Sequence, residues 1–143
     1  MLARLSHPSC ASLKVLKVLI VEDDMFVSWG LESALAERGH HVCAIAQSAE
    51  EALRLARHHE PDLIFMDIGL SGSGNGLEVA EQILARSQTR IVFSSAWNDA
   101  ATQAAIKRVS AYASIPKPCR EEDLLAVAEC ALLEIQAQIS GSP

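Results

Sequence analysis

The chain has 143 residues, of which 50% are hydrophobic and 21% charged, with a formal net charge of −6. That length buries one substantial core, and the composition excludes disorder. No run approaches the ~18 apolar residues that span a bilayer, and His7, Pro8 and Ser9 interrupt any signal-peptide core. A cytoplasmic protein with no membrane partner is expected. The acidic balance, without a Lys/Arg cluster, argues against a nucleic-acid partner and for protein partners. Cys10, Cys43, Cys119 and Cys130 show no paired metal spacing and read as reduced thiols.

Residues 1–14 lack periodicity and read as a flexible leader. Strand and helix patterns then alternate five times. The first strand is expected at 15–21. A helix follows at 24–38, with Val27, Leu31, Ala34 and Leu35 on its inner face and Gly39 as its stop. The second strand is Val42–Ala46. Ser48, with Glu51 three residues on, caps a helix that turns Ala52, Leu55 and Ala56 inward and ends before Pro61. The third strand, 62–66, is the most apolar and therefore central. Gly69 to Gly76 is a loop, and a third helix starts near Gly76-Leu77 with Leu77, Ala80, Ile83 and Leu84 inward. The fourth strand is expected at 90–94, followed by an Ala-rich helix capped by Asn98 or Asp99 and anchored by Ile106 and Val109. A weak fifth strand at 111–115 precedes a strong helix at 121–138 with Leu124, Ala128, Ala131, Leu132 and Ile135 on one face, and 139–143 form a tail. Such alternation implies right-handed βαβ units and a doubly wound parallel sheet.

Four of the apolar runs end in polar residues. Val18–Val21 leads into Glu22-Asp23-Asp24, and Leu63–Met66 into Asp67. Ile91–Phe93 leads into Ser94-Ser95, and Ala113–Pro116 into Lys117-Pro118. In an open parallel α/β sheet, ligands bind beyond the carboxyl ends of the strands, so these acids, the hydroxyl and the amine face one crevice. Hard carboxylate oxygens suit Mg²⁺. Asp23 and Asp67 are placed to coordinate it directly, Glu22 through water, and the Gly69 carbonyl as a backbone ligand. Asp67 is the candidate nucleophile, Lys117 the countercharge for transferred phosphoryl oxygens, and Ser95 a hydroxyl donor to them. Each residue alone has an ordinary explanation: Asp67 as a turn residue, the acidic triplet as a helix cap, Ser95 and Lys117-Pro118 as loop elements. Only the ordered set is specific.

That set, over residues 15–138, resembles the receiver domain of two-component response regulators. The resemblance implies a flavodoxin-like (βα)5 fold with strand order 2-1-3-4-5 and Asp67 as the phosphorylated aspartate. It implies Mg²⁺ in the acidic pocket, Ser95-Ala96 as the hydroxyl pair, and a Lys117-Pro118 bond in the cis form. The phosphodonor would be a histidine kinase or a histidine phosphotransfer protein, with output to a downstream protein or a homodimer through helix four, strand five and helix five. The receiver would hydrolyse its own aspartyl phosphate rather than act as an enzyme on another substrate. Three departures stand out. The family's switch aromatic falls at Ser114, with Tyr112 two residues too early; the loop after Asp67 is glycine-rich, with Gly69 bare; and Trp97 is bulky. Trp97 and Gly69 offer no group to orient a water, so slow self-dephosphorylation is expected.

Other residues carry less. His40-His41 and His58-His59 lack the spacing of metal-binding helices and sit near helix C-termini, which favour positive charge. Trp29 reads as a packing residue. Ile106, Val109, Tyr112 and Leu125 are candidates for a partner face or for core. Two competing functions remain: a degenerate receiver that binds a partner without phosphorylation, and a phosphatase of the haloacid dehalogenase type. The latter places a second Asp two residues after the nucleophile, where this chain has Gly69. A flavodoxin-like cofactor binder shares the fold, but the acidic pocket would repel a flavin phosphate.

Overall fold

The structure, a computed structural model, describes residues 15–69, 76–96 and 100–140. Strands β1 (Lys17–Val21), β2 (His41–Ala46), β3 (Leu63–Asp67), β4 (Arg90–Ser95) and β5 (Ala113–Pro116) alternate with helices α1 (Met25–Glu37), α2 (Ala49–His59), α3 (Gly76–Leu84), α4 (Ala100–Val109) and α5 (Glu121–Ser140). The strands form one parallel sheet in the order β2-β1-β3-β4-β5. This is the doubly wound, flavodoxin-like α/β fold. β3 lies at its centre and is buried along its whole length, which is why its sequence is continuously apolar rather than alternating.

Each face of the sheet carries its own core. Leu19, Val21, Ile64, Met66, Ile91 and Phe93 point to one side and pack against α2, α3 and α4 through Ala52, Ala56, Ala80, Ile83, Ile106 and Val109. Val18, Ile20, Leu63, Phe65 and Val92 point to the other, against Leu31 and Leu35 of α1 and Leu124, Ala128, Ala131 and Leu132 of α5. Successive strand residues alternate between the two sides because the side-chain period of a strand is two.

The helix starts follow local chemistry. Asp24 caps α1, its Oδ1 accepting from the N–H groups of Phe26 at 2.9 Å and Val27 at 3.3 Å. Ser48 caps α2, its Oγ accepting from Glu51 N at 3.2 Å. The Glu51 carboxylate reaches back to the N–H of Gln47 at 2.7 Å, one residue before the cap, so the capping box closes one position early. After α1 the chain turns through Gly39 at φ +86°, a conformation strained for any residue with a Cβ.

Several expectations are corrected. Val27 is not on the buried stripe of α1: it is 45% exposed, and Ser28 takes the inward position at 0%. The serine hydroxyl donates to Met25 O at 3.1 Å, which satisfies it locally and lets a polar residue be buried there. Trp29 is not packed away either. It is 51% exposed and meets Phe26, itself 83% exposed, edge to face at 6.1 Å. Ile106, Val109 and Leu125 are buried in the two cores, the packing role of the two expected for them. Tyr112 is half-buried and donates to Glu134 Oε2 at 2.8 Å, while its ring lies under the Arg90 guanidinium at 5.6 Å. On α3, Val79 is buried where Leu77 and Leu84 are only partly so. β5 begins at Ala113 rather than at 111, with the Tyr112 N–H donating to Ile91 O at 2.8 Å at the sheet's entry. The expected helix caps Asn98 and Asp99, the leader and Trp97 lie outside the described residues.

Candidate functional site

The carboxyl ends of β1, β3, β4 and β5 bring the predicted residues together. Glu22 leaves β1 with its N–H donating to Ala46 O at 2.9 Å, which fixes its backbone beside β2. Its side chain turns inward and is 5% exposed as a residue. Glu22 Oε2 accepts from Asp24 N at 3.1 Å, and Glu22 Oε1 lies 3.4 Å from Lys117 Nζ. Asp67 ends β3 at 7% exposure; its Oδ1 accepts from Gly69 N at 3.0 Å and its Oδ2 lies 3.3 Å from Lys117 Nζ. A single ammonium group thus bridges two buried carboxylates.

Lys117 is held in place by its backbone. Its N–H donates to Ser95 O at 2.8 Å, continuing the β4–β5 pairing one residue past the strand, and the Lys117–Pro118 peptide is cis, as expected. Ser95 is buried at the end of β4, next to the Asp67–Ser94 register pair. Asp23 is exposed at the rim. Asp24 sits outside the cluster and serves as the helix cap.

The electrostatics follow from burial and crowding. Burial raises the Glu22 pKa from its ordinary 4.5 to about 7, with the Asp67 carboxylate adding to the rise against the opposing pull of the Asp24 N–H and Lys117. Burial works against the Lys117 ammonium, but Asp67 and Glu22 outweigh it and leave its pKa above the usual lysine value. The site is therefore short of positive charge for the number of carboxylates it holds.

That shortage can be tested against a divalent cation. Glu22, Asp23 and Asp67 each offer a carboxylate oxygen, and these lie within 4.8 Å of one another, the one such metal-type cluster among the described residues. All are hard oxygen donors, as Mg²⁺ prefers. The donor set fits the ion. Gly69 adds no side chain to this arrangement: a Cβ there would stand 3.8 Å from Asp67 Oδ1, beside the carboxylate. Gly76, at the start of α3, packs so closely that a Cβ would lie 2.7 Å from the Asp67 carbonyl oxygen.

Two features of the site were missed from sequence. One is the bond from Asp24 N to Glu22, which ties the acidic pocket to the cap of α1. The other is a cavity of about 30 Å³ beneath Lys117 and Asp67, lined by Ile20, Phe65, Ser94, Cys119 and Leu124. It takes Ser94, which adjacency to Ser95 alone did not distinguish. The histidine pairs stay apart from all of this. His40 is buried, its Nδ1 accepting from Leu16 N at 3.0 Å and its Nε2 lying 3.5 Å from Glu129 Oε1; His58 and His59 stack edge to face.

A doubly wound parallel sheet whose carboxyl edge gathers three acids and a lysine defines a domain of the receiver type. The chain belongs to the response regulator receiver domain family, whose model matches residues 18–129. It is 40% identical over 82 residues to the transcriptional regulatory protein AfsQ1 of Streptomyces coelicolor, covering 57% of this chain and 36% of that protein. It is 29% identical over 116 residues to PdtaR of Mycobacterium tuberculosis, covering 81% of this chain and 56% of the relative. The chain thus spans from a third to little more than half of these curated relatives. Among solved structures, the signal receiver domain of a modulated diguanylate cyclase from Desulfovibrio desulfuricans superposes with a TM-score of 0.78 at 30% identity, over 87% of this chain and 99% of that one. A CheY-like receiver from Methanospirillum hungatei shares the fold at a TM-score of 0.80 and 24% identity, over 87% of this chain and 99% of that one. Both of these curated relatives are transcriptional regulatory proteins by name. Among the described residues, no helix is long and apolar enough to cross a membrane.

Proposed function

We propose that the chain is a phosphorylation-switched signalling receiver that accepts a phosphoryl group on Asp67 and acts through protein contacts. The observation that carries this reading is Lys117 Nζ, set 3.3 Å from Asp67 Oδ2 and 3.4 Å from Glu22 Oε1 at the sheet's carboxyl edge. The donor is a phosphohistidine of a histidine kinase or a histidine phosphotransfer protein. An Asp67 oxygen forms the new bond to phosphorus, the bond from phosphorus to the donor imidazole breaks, and that imidazole leaves neutral after taking a proton. Lys117 balances charge on the transferred oxygens. Ser95 donates its hydroxyl to one of them. Asp23 and Asp67, the Gly69 carbonyl and, through water, Glu22 would hold Mg²⁺, which when bound offsets carboxylate repulsion and shields the incoming anion. The protein works in the cytoplasm as a phosphoacceptor, not an enzyme on a separate substrate, and passes its signal to a downstream protein or a second copy through α4, β5 and α5, with no nucleic-acid or membrane partner.

One observation favours a second reading, a phospho-independent adaptor. The switch position is an exposed Ser114, and Tyr112, the aromatic nearby, is fastened to Glu134. Intact mass after incubation with Mg²⁺ and a small phosphodonor, on wild type and Asp67→Ala, tests the first reading. One added phosphoryl group on wild type alone supports it. Beryllofluoride separates the two readings where no group is added: metal-dependent binding points to strict dependence on the kinase, and failure to bind points to the adaptor.

A further inference from the structure

At the end of the sheet remote from Asp67, α2 and α3 part to leave a cleft of about 140 Å³. Leu53, Ala56 and Ile83 supply its apolar surface, and Arg57, Glu60 and Arg86 its charge. It continues into a second hollow of about 320 Å³ past Pro61, Gln88 and Thr89. Both lie before the N-terminal ends of β3 and β4, so they are separate from the acidic site.

Two guanidiniums and one carboxylate share this cleft. Among the described arginines, Arg38, Arg54, Arg90 and Arg120 each pair with a carboxylate. Arg57, Arg86 and Arg108 make no ion pair, and of these Arg57 and Arg86 line one cleft together with Glu60, which makes none either. Helix-end electrostatics alone would put a cation near the last turn of α2. The carbonyls at these ends are already engaged, however: Ala56 O accepts from Glu60 N at 3.0 Å, and Ile83 O from Arg86 N at 3.1 Å and from Ser87 Oγ at 3.0 Å. The guanidiniums are left to face the cleft. The Thr89 hydroxyl, at the far rim, is buried without a hydrogen-bond partner, a state that native proteins rarely leave unexplained.

We infer that the α2–α3 cleft is a binding site for a small organic monocarboxylate with a compact apolar body. Two guanidiniums against one carboxylate leave a single positive charge, which matches a monoanion and disfavours a phosphate dianion beside Glu60. An arginine fork pairs with a carboxylate through two parallel hydrogen bonds. The apolar body rests on Leu53, Ala56 and Ile83. The size suits it, since an apolar cavity of about 150 Å³ holds one benzene ring.

Sodium benzoate is the probe. Titrated into the ¹⁵N-labelled full chain, it is expected to give saturable amide shifts confined to residues 53–60 and 82–89. Benzamide, equal in shape but uncharged, is expected to bind about tenfold more weakly or worse, as loss of a charge-assisted pair requires. Inorganic phosphate is expected to give no saturable shift at the cleft. Arg57→Gln with Arg86→Gln, two exposed positions, should abolish the benzoate shifts while leaving the rest of the spectrum in place. Benzoate shifts that do not saturate, benzamide binding equal to benzoate, phosphate binding as tight, or shifts that survive the double substitution each overturn the proposal. If benzoate fails and a carboxylate-bearing peptide alone shifts these residues, the small-molecule site is likewise refuted in favour of a protein contact.

Discussion

Glu22→Gln is expected to stabilise the metal-free protein at alkaline pH, although it removes a carboxylate that Lys117 contacts. Folding raises the Glu22 pKa from 4.5 to about 7, burial being the leading cause. The folded state therefore holds this proton more tightly than the unfolded chain does. The stability attached to it is fully present below 4.5 and is lost as the pH rises through about 7. At ~1.4 kcal/mol per pH unit, that interval corresponds to ~3 kcal/mol. Glutamine has nearly the shape of the protonated acid and carries no charge at any pH. A gain of ~2–3 kcal/mol at about pH 8 follows, shrinking towards zero near pH 5. Urea unfolding in a chelator, on wild type and variant across that range, measures it. Equal stability at about pH 8, or a gap that does not narrow on acidification, refutes the assignment of the strain to an ionised, buried Glu22. Added Mg²⁺ should close the gap, because a ligand of the carboxylate form stabilises wild type by mass action.

The remaining expectations are shorter. Lys117→Met leaves Glu22 and Asp67 facing each other without their shared cation, and should slow phosphorylation of Asp67 by about a hundredfold or more in a phosphodonor mass assay. Gly76→Ala places a Cβ against the backbone of Asp67 and Ile68 and should cost ~1–3 kcal/mol in denaturant unfolding. Gly30→Ala should instead be neutral or stabilising by up to ~1 kcal/mol, because its obstacle is only the end of the Glu121 side chain, which can swing away. Tyr112→Phe should cost ~0.5–1.5 kcal/mol by losing the Glu134 bond while leaving the phosphorylation rate unchanged; a changed rate would return Tyr112 to the switch. The phosphorylated protein should persist for minutes or longer, and a half-life of seconds would show that some other group orients the attacking water.

The parts legible in the sequence are those fixed by local pattern. Continuous apolar runs located β1, β3 and β4 within a residue or two, and the caps at Asp24 and Ser48 follow from side chains that accept from nearby N–H groups. The site was legible because each of its residues ends a strand, so sheet topology alone brings Glu22, Asp67, Ser95 and Lys117 together. What the sequence hid was rotation and competition. Val27 and Ser28 compete for the inner face of α1, and hydropathy favours Val27. A local hydroxyl-to-carbonyl bond decides for Ser28. Tyr112 lies two residues short of the switch position in sequence, and only its long-range partners, Glu134 and Arg90, reveal that it is fastened. Arg57 and Arg86 are far apart in the chain, and nothing in either one's neighbourhood announces their shared cleft.

The sheet divides the hydrophobic interior into two sets of side chains that touch through the backbone of five strands and little else. Ile83 in one set and Leu124 in the other share no neighbours. Losses in separate sets should therefore sum rather than compound.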